Sequence, residues 1–306
     1  MKNIYFFGEC MIELRSIEES LMRQSFAGDV YNAAVYLKRC FPAINSSIVT
    51  SVGQDNLSDK MISVFAEEEI DTEFVFKHDT KIPGMYLVET DDVGERSFTY
   101  WRSDAAARYT MELFNDDAIA KLKCADMFFF SGISLAIIKP ELRDSFWQMV
   151  WQLKDAGVQI VFDPNYRARL WASVDETKLL YDLALQVSDI VLPGIEDFNS
   201  IYGHTSFDHV KTFCKPYNIK ELVIKDGPNG VLVVYDGEET FIDILPVENV
   251  VDTNSAGDSF NGAYLGSRLT GRSITDAVQL AAKAAGTVIQ YPGAIIPKEA
   301  FDSIRQ

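Results

Sequence analysis

The run Val251-Asp252-Thr253-Asn254-Ser255-Ala256-Gly257-Asp258 places three small residues directly before an acid, at the expected start of a helix. The first N–H groups of a helix have no partner within it, and they face outward as an anion site. Small side chains at Ser255, Ala256 and Gly257 leave that backbone open to a phosphate. Asp258 follows at once, where a carboxylate can take a proton from an incoming hydroxyl. The plainer reading of Asp258 is a first-turn acid favoured by the helix dipole. The small-residue run weighs toward the other reading, an anion cradle beside a base, which is the equipment of phosphoryl transfer from a nucleotide. Asp252 reads equally as a loop carboxylate or as a group that orients the loop or assists a cation.

Two further clusters carry chemistry. Lys225-Asp226-Gly227-Pro228-Asn229-Gly230 reads first as a tight turn between strands, and second as a contact for nucleotide phosphates or ribose. Tyr100-Trp101-Arg102 combines two aromatic faces with a guanidinium. Aromatics adjacent in a strand point to opposite faces, so both cannot be core. Arg102 reads as a surface ion pair or, with Arg167, as a bidentate clamp for a carboxylate, with Tyr86 on the neighbouring strand facing the same ligand. The three histidines, His78, His204 and His209, lie apart from these clusters, which disfavours histidine-based catalysis.

The elements that must position these groups alternate. Buried strands are expected over 4–7, 127–131, 158–162, 190–192 and 222–224. A helix over 141–155 carries Phe146, Met149, Val150 and Leu153 at helical spacing and ends at Gly157. Such alternation predicts an α/β fold with a mostly parallel sheet covered on both faces, and a ligand site beyond the carboxyl ends of its strands. One segment breaks the rhythm: short strands over 73–101, with a hairpin turn at 91–94, predict a small protruding antiparallel sheet, joined by a strand in the approach to Ala27.

Length permits one large domain or two smaller ones, and 306 residues with 47% hydrophobic residues suffice for a substantial core. A net charge of -17 disfavours nucleic acid and anionic membrane as partners. Cys10, Cys40, Cys124 and Cys214 show no metal or redox spacing, and the first residues lack a signal-peptide core. A reducing cytoplasm is the expected compartment. A dinucleotide oxidoreductase would want G-x-G-x-x-G after the first strand, where this chain has Gly8-Glu9-Cys10-Met11.

Asp252 to Phe260, D-T-N-S-A-G-D-S-F, resembles the C-terminal signature of the ribokinase-like (PfkB) carbohydrate kinases, usually D-T-x-G-A-G-D. I-Y-F-F-G-E, A-G-D-V-Y-N-A-A at 27–34, V-G-Q-D at 52–55 and K-D-G-P-N-G fall in the family's order, so the resemblance spans the chain. Y-W-R-S-D-A-A-A at 100–107 and F-D-P-N-Y-R at 162–167 look most like the branch acting on 2-keto-3-deoxygluconate.

The resemblance implies a single ribokinase-like domain over 1–306, with a lid sheet from about 14–27 and 73–101. It implies that Gly28, Asp29, Asn32, Tyr86, Tyr100, Arg102 and Arg167 bind a sugar acid, with Arg167 near both substrates. Asp258 matches the catalytic base and Ser255, Ala256 and Gly257 the anion hole. Asn165, Lys225, Gly227 and Gly230, with Ser255 and Gly257, match the ATP-contacting positions. Magnesium is implied at Glu196 through water, with a monovalent cation such as K+ as a further candidate. Lids pairing across a homodimer, or a higher homo-oligomer, are implied as well. Rival expectations are a kinase of a neutral sugar, such as fructose or ribose, and a non-enzymatic sugar-acid-binding protein. The chain departs from the family pattern at three places. Ala27-Gly28 replaces a double glycine, Ser255 replaces a glycine, and Pro193-Gly194-Ile195-Glu196 replaces N-x-x-E. The cradle tolerates the first two if neither position takes a positive φ.

Overall fold

A computed structural model describes residues 2–18, 20–90 and 96–305. The hairpin turn expected at 91–94 lies outside the described residues. Among the described residues thirteen strands form two sheets. They are β1 (Asn3–Phe7), β2 (Met11–Glu18), β3 (Leu21–Ala27), β4 (Asn45–Val52), β5 (Val75–Lys77), β6 (Met85–Thr90), β7 (Arg96–Trp101), β8 (Met127–Ser131), β9 (Gln159–Asp163), β10 (Ile190–Val191), β11 (Glu221–Lys225), β12 (Val231–Tyr235) and β13 (Glu238–Ile242).

The main sheet runs β13-β12-β11-β10-β9-β8-β1-β4-β5. It is parallel from β5 to β11, and β12 and β13 add an antiparallel edge. Its strands read as apolar runs because both faces are covered, and their residues divide by parity. Ile4 and Phe6 of β1, with Met127 and Phe129 of β8, face a core shared with helices Asp29–Cys40, Ala256–Leu269 and Ile274–Val288. Tyr5, Phe7, Phe128 and Phe130 face the opposite core, shared with Arg143–Asp155, Val174–Val187 and Ile195–Tyr202. The first of these helices ends beside Gly157, whose φ of +90° suits glycine alone. Among the described residues no helix is long and apolar enough to cross a membrane.

Successive strands run outward in one direction from β1 to β4 and in the other from β8 to β11, so the order reverses between β1 and β8. Ligands of open α/β sheets sit outside the strand ends at such a switch point. Here those ends are the buried Glu9, just past β1, and Ser131, at the end of β8.

The smaller sheet, β3-β2-β6-β7, covers the cleft as a lid. It corrects three expectations. It is mixed rather than antiparallel, because β2 and β6 pair in parallel. And β5, expected in the lid, extends the main sheet instead, pairing Val75 with Thr50 and Lys77 with Val52. The lid begins at Met11, earlier than the expected start near 14.

Candidate active site

A cleft of about 1170 Å³ runs between the lid and the carboxyl ends of the main strands. At its floor begins the helix Ala256–Leu269. Its neighbour, the helix Asp29–Cys40, comes close because residue 262 is glycine: a Cβ there would collide with the Ala33 carbonyl oxygen. That approach puts Asn32 on Asp258, with Asn32 Nδ2 donating to Asp258 Oδ2 at 2.8 Å. Gly28 stands at the head of the second helix for a similar reason. Its backbone is extended, but a side chain would strike the Glu9 carbonyl oxygen.

Ser255 caps the helix Ala256–Leu269 with φ +62°, in the left-handed region. The condition under which serine fits the cradle freely therefore fails at this position, while Ala27 takes no positive φ. A non-glycine residue there costs about 1–2 kcal/mol, part of which glycine returns through its freer unfolded chain. Ser255→Gly is expected to raise stability by about 0.5–1 kcal/mol, and chemical denaturation measures it; a fall in stability would mean that the serine side chain holds the loop. Gly257 is exposed and lines the cleft, with open space where a side chain would stand.

Asp258 has a pKa raised to about 7, first by loss of water around it and next by the negative charge of Asp29, against a lowering by the Asn32 hydrogen bond. Asp29 is itself raised by burial. Its Oδ2 accepts the Ser131 hydroxyl and, at 3.0 Å, Asn165 Nδ2.

At one end of the cleft, Lys225 closes β11 with Nζ 3.0 Å from Asn261 Oδ1 and 3.6 Å from Asp163 Oδ1. Asn261 also donates to Asp163 Oδ2 at 2.7 Å, so strand ends and helix are tied through one buried polar group. The turn beyond is a single 3-10 turn, Gly227–Asn229, with Gly227 at φ +51° and open space over it. Gly230, at φ +117°, is set back from the cleft lining against Phe241, and its part is to shape the turn. Asn165, matched by resemblance to ATP contact, lines the cleft and donates to Asp29. Glu196 is exposed on the rim, in the first turn of Ile195–Tyr202. Beside it Asp197 accepts the Tyr166 N–H at 2.9 Å, and its pKa is raised to about 6 by burial and then by Asp163.

The other end is aromatic and basic. Tyr86 and Tyr100 stack at 5.6 Å between centroids, and the Arg169 guanidinium lies 3.8 Å above the Tyr100 ring. Trp101 points away and is half-exposed, as strand parity requires. The expected clamp of Arg102 with Arg167 is not formed here. Arg102 is buried in an ion pair with Glu9, and Arg167 is exposed with Nη1 donating to its neighbour's carbonyl, Tyr166 O, at 2.8 Å. Both arginines still line the cleft, as do Gly28, Asp29, Asn32, Tyr86, Tyr100, Lys225, Gly227, Glu196 and Ser255 to Asp258. Sequence reasoning missed Arg169, although its spacing two residues after Arg167 is visible in the chain. It also missed Glu9 and Glu13, the buried acids behind Arg102 and Tyr86.

Residues 1–300 match the model of the pfkB family carbohydrate kinases. The chain is 39% identical to the 2-dehydro-3-deoxygluconokinase of Escherichia coli (strain K12), over 98% of this chain and 99% of that one. It is 41% identical to the 2-dehydro-3-deoxygluconokinase of Dickeya dadantii (strain 3937), with 98% of each covered. The crystal structure of the 2-dehydro-3-deoxygluconokinase of Thermotoga maritima superposes with a TM-score of 0.86, at 22% identity over 99% of this chain and 98% of that one, a likeness of fold.

Proposed function

The chain belongs to the pfkB family of carbohydrate kinases, with the ribokinase-like α/β fold and lid, and within it we propose that it transfers the γ-phosphoryl group of ATP to the C6 hydroxyl of 2-keto-3-deoxygluconate (2-dehydro-3-deoxygluconate). The observation that carries this reading is the pairing of two unlike ends in one cleft. A base and an open helix start lie at one end. Tyr86, Tyr100, Arg102 and Arg169 lie at the other, and Arg167 lines the same cleft. A neutral sugar has no use for so many guanidiniums, whereas a carboxylate does. The similarity to 2-dehydro-3-deoxygluconokinases supports the same acceptor.

In this reading Asp258 takes the proton of the C6 hydroxyl as its oxygen bonds to the γ-phosphorus and the bond to the leaving ADP oxygen breaks. Asn32 holds the carboxylate in place. The N–H groups at the start of Ala256–Leu269, that of Gly257 foremost, receive the charge of the phosphoryl oxygens. Lys225 and the Gly227 turn flank the nucleotide, and the lid keeps water from the reacting phosphorus. Among the described residues no three His, Cys, Asp or Glu side chains gather as a metal site, and Glu196 stands exposed on the rim. Glu196 would meet a magnesium ion through water, and the ion would neutralise phosphate charge. A monovalent cation at Asp252 fits poorly, because the Arg15 guanidinium already stands 3.6 Å from that carboxylate.

The base reading sets a pH dependence. Only ionised Asp258 accepts the proton, so kcat/KM of the free enzyme rises through about pH 7. Asp29→Asn removes a neighbouring negative charge and moves that rise to lower pH. An unmoved profile in the variant would detach Asp29 from the base.

Purified protein supplied with MgATP and a panel of 2-keto-3-deoxygluconate, its galactonate epimer, gluconate, fructose and ribose, with ADP release followed, tests the substrate. The keto acid is expected to give the highest kcat/KM; a higher value for fructose or ribose overturns the proposal. That second reading draws on the Glu9–Arg102 pair, which neutralises one of the three guanidiniums. The lids are further proposed to pair two copies of the chain. Ile17, Leu21, Met22 and Trp101 stand about half-exposed on the lid, an apolar surface that a second copy would cover. Sedimentation as a monomer at micromolar concentration would remove this part. Its four cysteines are free, which suits action in the cytoplasm.

A further inference from the structure

β2 places Glu13 and Arg15 two residues apart, on one face of the lid strand. Glu13 is buried; its Oε2 accepts the Tyr86 hydroxyl and its Oε1 accepts Ser25 Oγ at 3.0 Å. Arg15 Nη2 lies 3.9 Å from Glu13 Oε1 and 3.6 Å from Asp252 Oδ2. Asp252, also buried, takes the Asn254 N–H on Oδ1 at 2.8 Å and the Gly293 N–H on Oδ2 at 3.0 Å. It thereby folds the loop that leads into Ser255, Ala256 and Gly257. Ala294, next to Gly293, is buried in a small cluster with the lid residues Met11, Ala27, Tyr86 and Val88.

A single guanidinium therefore stands between two buried carboxylates. One orients an acceptor-side tyrosine and the other orders the phosphate loop. Among the described residues, Arg15 Nη2 is itself buried and makes no hydrogen bond, since both carboxylates lie beyond bonding distance. A buried donor between two acceptors gains from any small movement of the lid that shortens either contact. Ala294, beside Gly293, meets the lid through apolar packing, which carries no comparable directional preference.

We propose that Arg15 is a positioning residue that couples acceptor binding under the lid to the geometry of the anion cradle. An acceptor seated against Tyr86 fixes Glu13 and Arg15, and Arg15 in turn fixes Asp252 and the loop whose N–H groups receive the phosphoryl oxygens. The inference rests on the reading of Tyr86 as the acceptor side and the cradle as the phosphoryl side. It does not depend on which sugar is the acceptor.

Coupling of this kind appears as synergy between ligands, which is reciprocal. The binding of the magnesium complex of β,γ-imido-ATP is measured by calorimetry, with and without saturating 2-keto-3-deoxygluconate. Should the substrate panel select another acceptor, that acceptor replaces it, and the failure falls on the substrate reading alone. The acceptor is expected to tighten analogue binding about tenfold in the native protein, within the usual range of coupling. In Arg15→Met the synergy falls to about twofold or less, and kcat falls about tenfold while KM for ATP stays within about threefold. Arg15→Lys keeps the charge, shields both carboxylates and restores part of the synergy. Native synergy and kcat in Arg15→Met, even at a lower Tm, would make Arg15 a structural residue and overturn the proposal. So would an absence of synergy in the native protein. If Arg15→Met does not fold, Arg15→Lys decides alone. Its shorter, single-pronged donor is expected to give synergy below native, and full native synergy overturns the coupling role.

Discussion

Asp258→Asn is expected to lower kcat by roughly 10²–10⁴-fold, the usual weight of a positioned general base, and to leave the fold intact. The amide has the size of the carboxylate and can still accept from Asn32 Nδ2. What it loses is proton affinity. Its stability has a definite sign. The folded pKa of Asp258 is raised from 3.8 to about 7, so the folded state holds that proton more tightly than the unfolded one. The stability linked to it is fully present below about pH 4 and is lost as pH rises through about 7. Asp258→Asn does not titrate there. It should therefore gain on the native protein as pH climbs through that window, and the gap should level off above it. Thermal melts at pH 4, 6 and 8, beside single-turnover kinetics, check both halves. Turnover within a few-fold of native would remove Asp258 from the base role. A variant that melts lower at pH 8 would show that the carboxylate is held by more than Asn32.

The proposed cradle and base are legible in the sequence because they are contiguous. A helix start, three small residues and an acid follow one another, and the exposed N–H groups are a property of the helix end itself. The alternating strands and helices, and the site at the strand ends, are legible for the same reason, each being a local pattern. The lid is only half legible. Its strands show as alternating runs, but the parallel pairing of β2 with β6 joins segments far apart in sequence, and no turn residue announces it. Val75–Lys77 is too short for its pattern to choose between the lid and the edge of the main sheet, and the edge, beside β4, captured it. Least legible are the buried partners of the site. Glu13 lies 73 residues from Tyr86, and Glu9 lies 93 residues from Arg102. A glutamate in or beside a strand carries no mark of the partner it will meet. Arg102 and Arg167 suggest a shared ligand, yet burial decides otherwise for Arg102: a guanidinium in the core needs a counter-charge, and the end of β1 supplies one.

That pair makes Arg102 the second large effect. Arg102→Ala leaves Glu9 buried without its cation and is expected to cost about 3–5 kcal/mol of stability. Glu9 has a pKa raised by burial against the lowering pull of Arg102, so losing the arginine pushes it further toward the neutral acid, which relieves part of the loss. A fall in activity in this variant alone cannot assign Arg102 to the substrate, because a weakened β1 end also displaces Gly28, whose backbone touches the Glu9 carbonyl. The double variant Glu9→Gln/Arg102→Met separates the two roles. It removes both charges and keeps two side chains of similar volume, so most of the stability should return. A carboxylate held by Arg102 is a charge-assisted contact worth about 1.5–3 kcal/mol, so the double variant should still show KM for the keto acid raised roughly 10–100-fold, with KM for ATP little changed. Recovery of KM together with stability would make Arg102 the counter-ion of Glu9 and nothing more. Arg167 and Arg169, the latter held over Tyr100, would then be left as the cations that meet the acid.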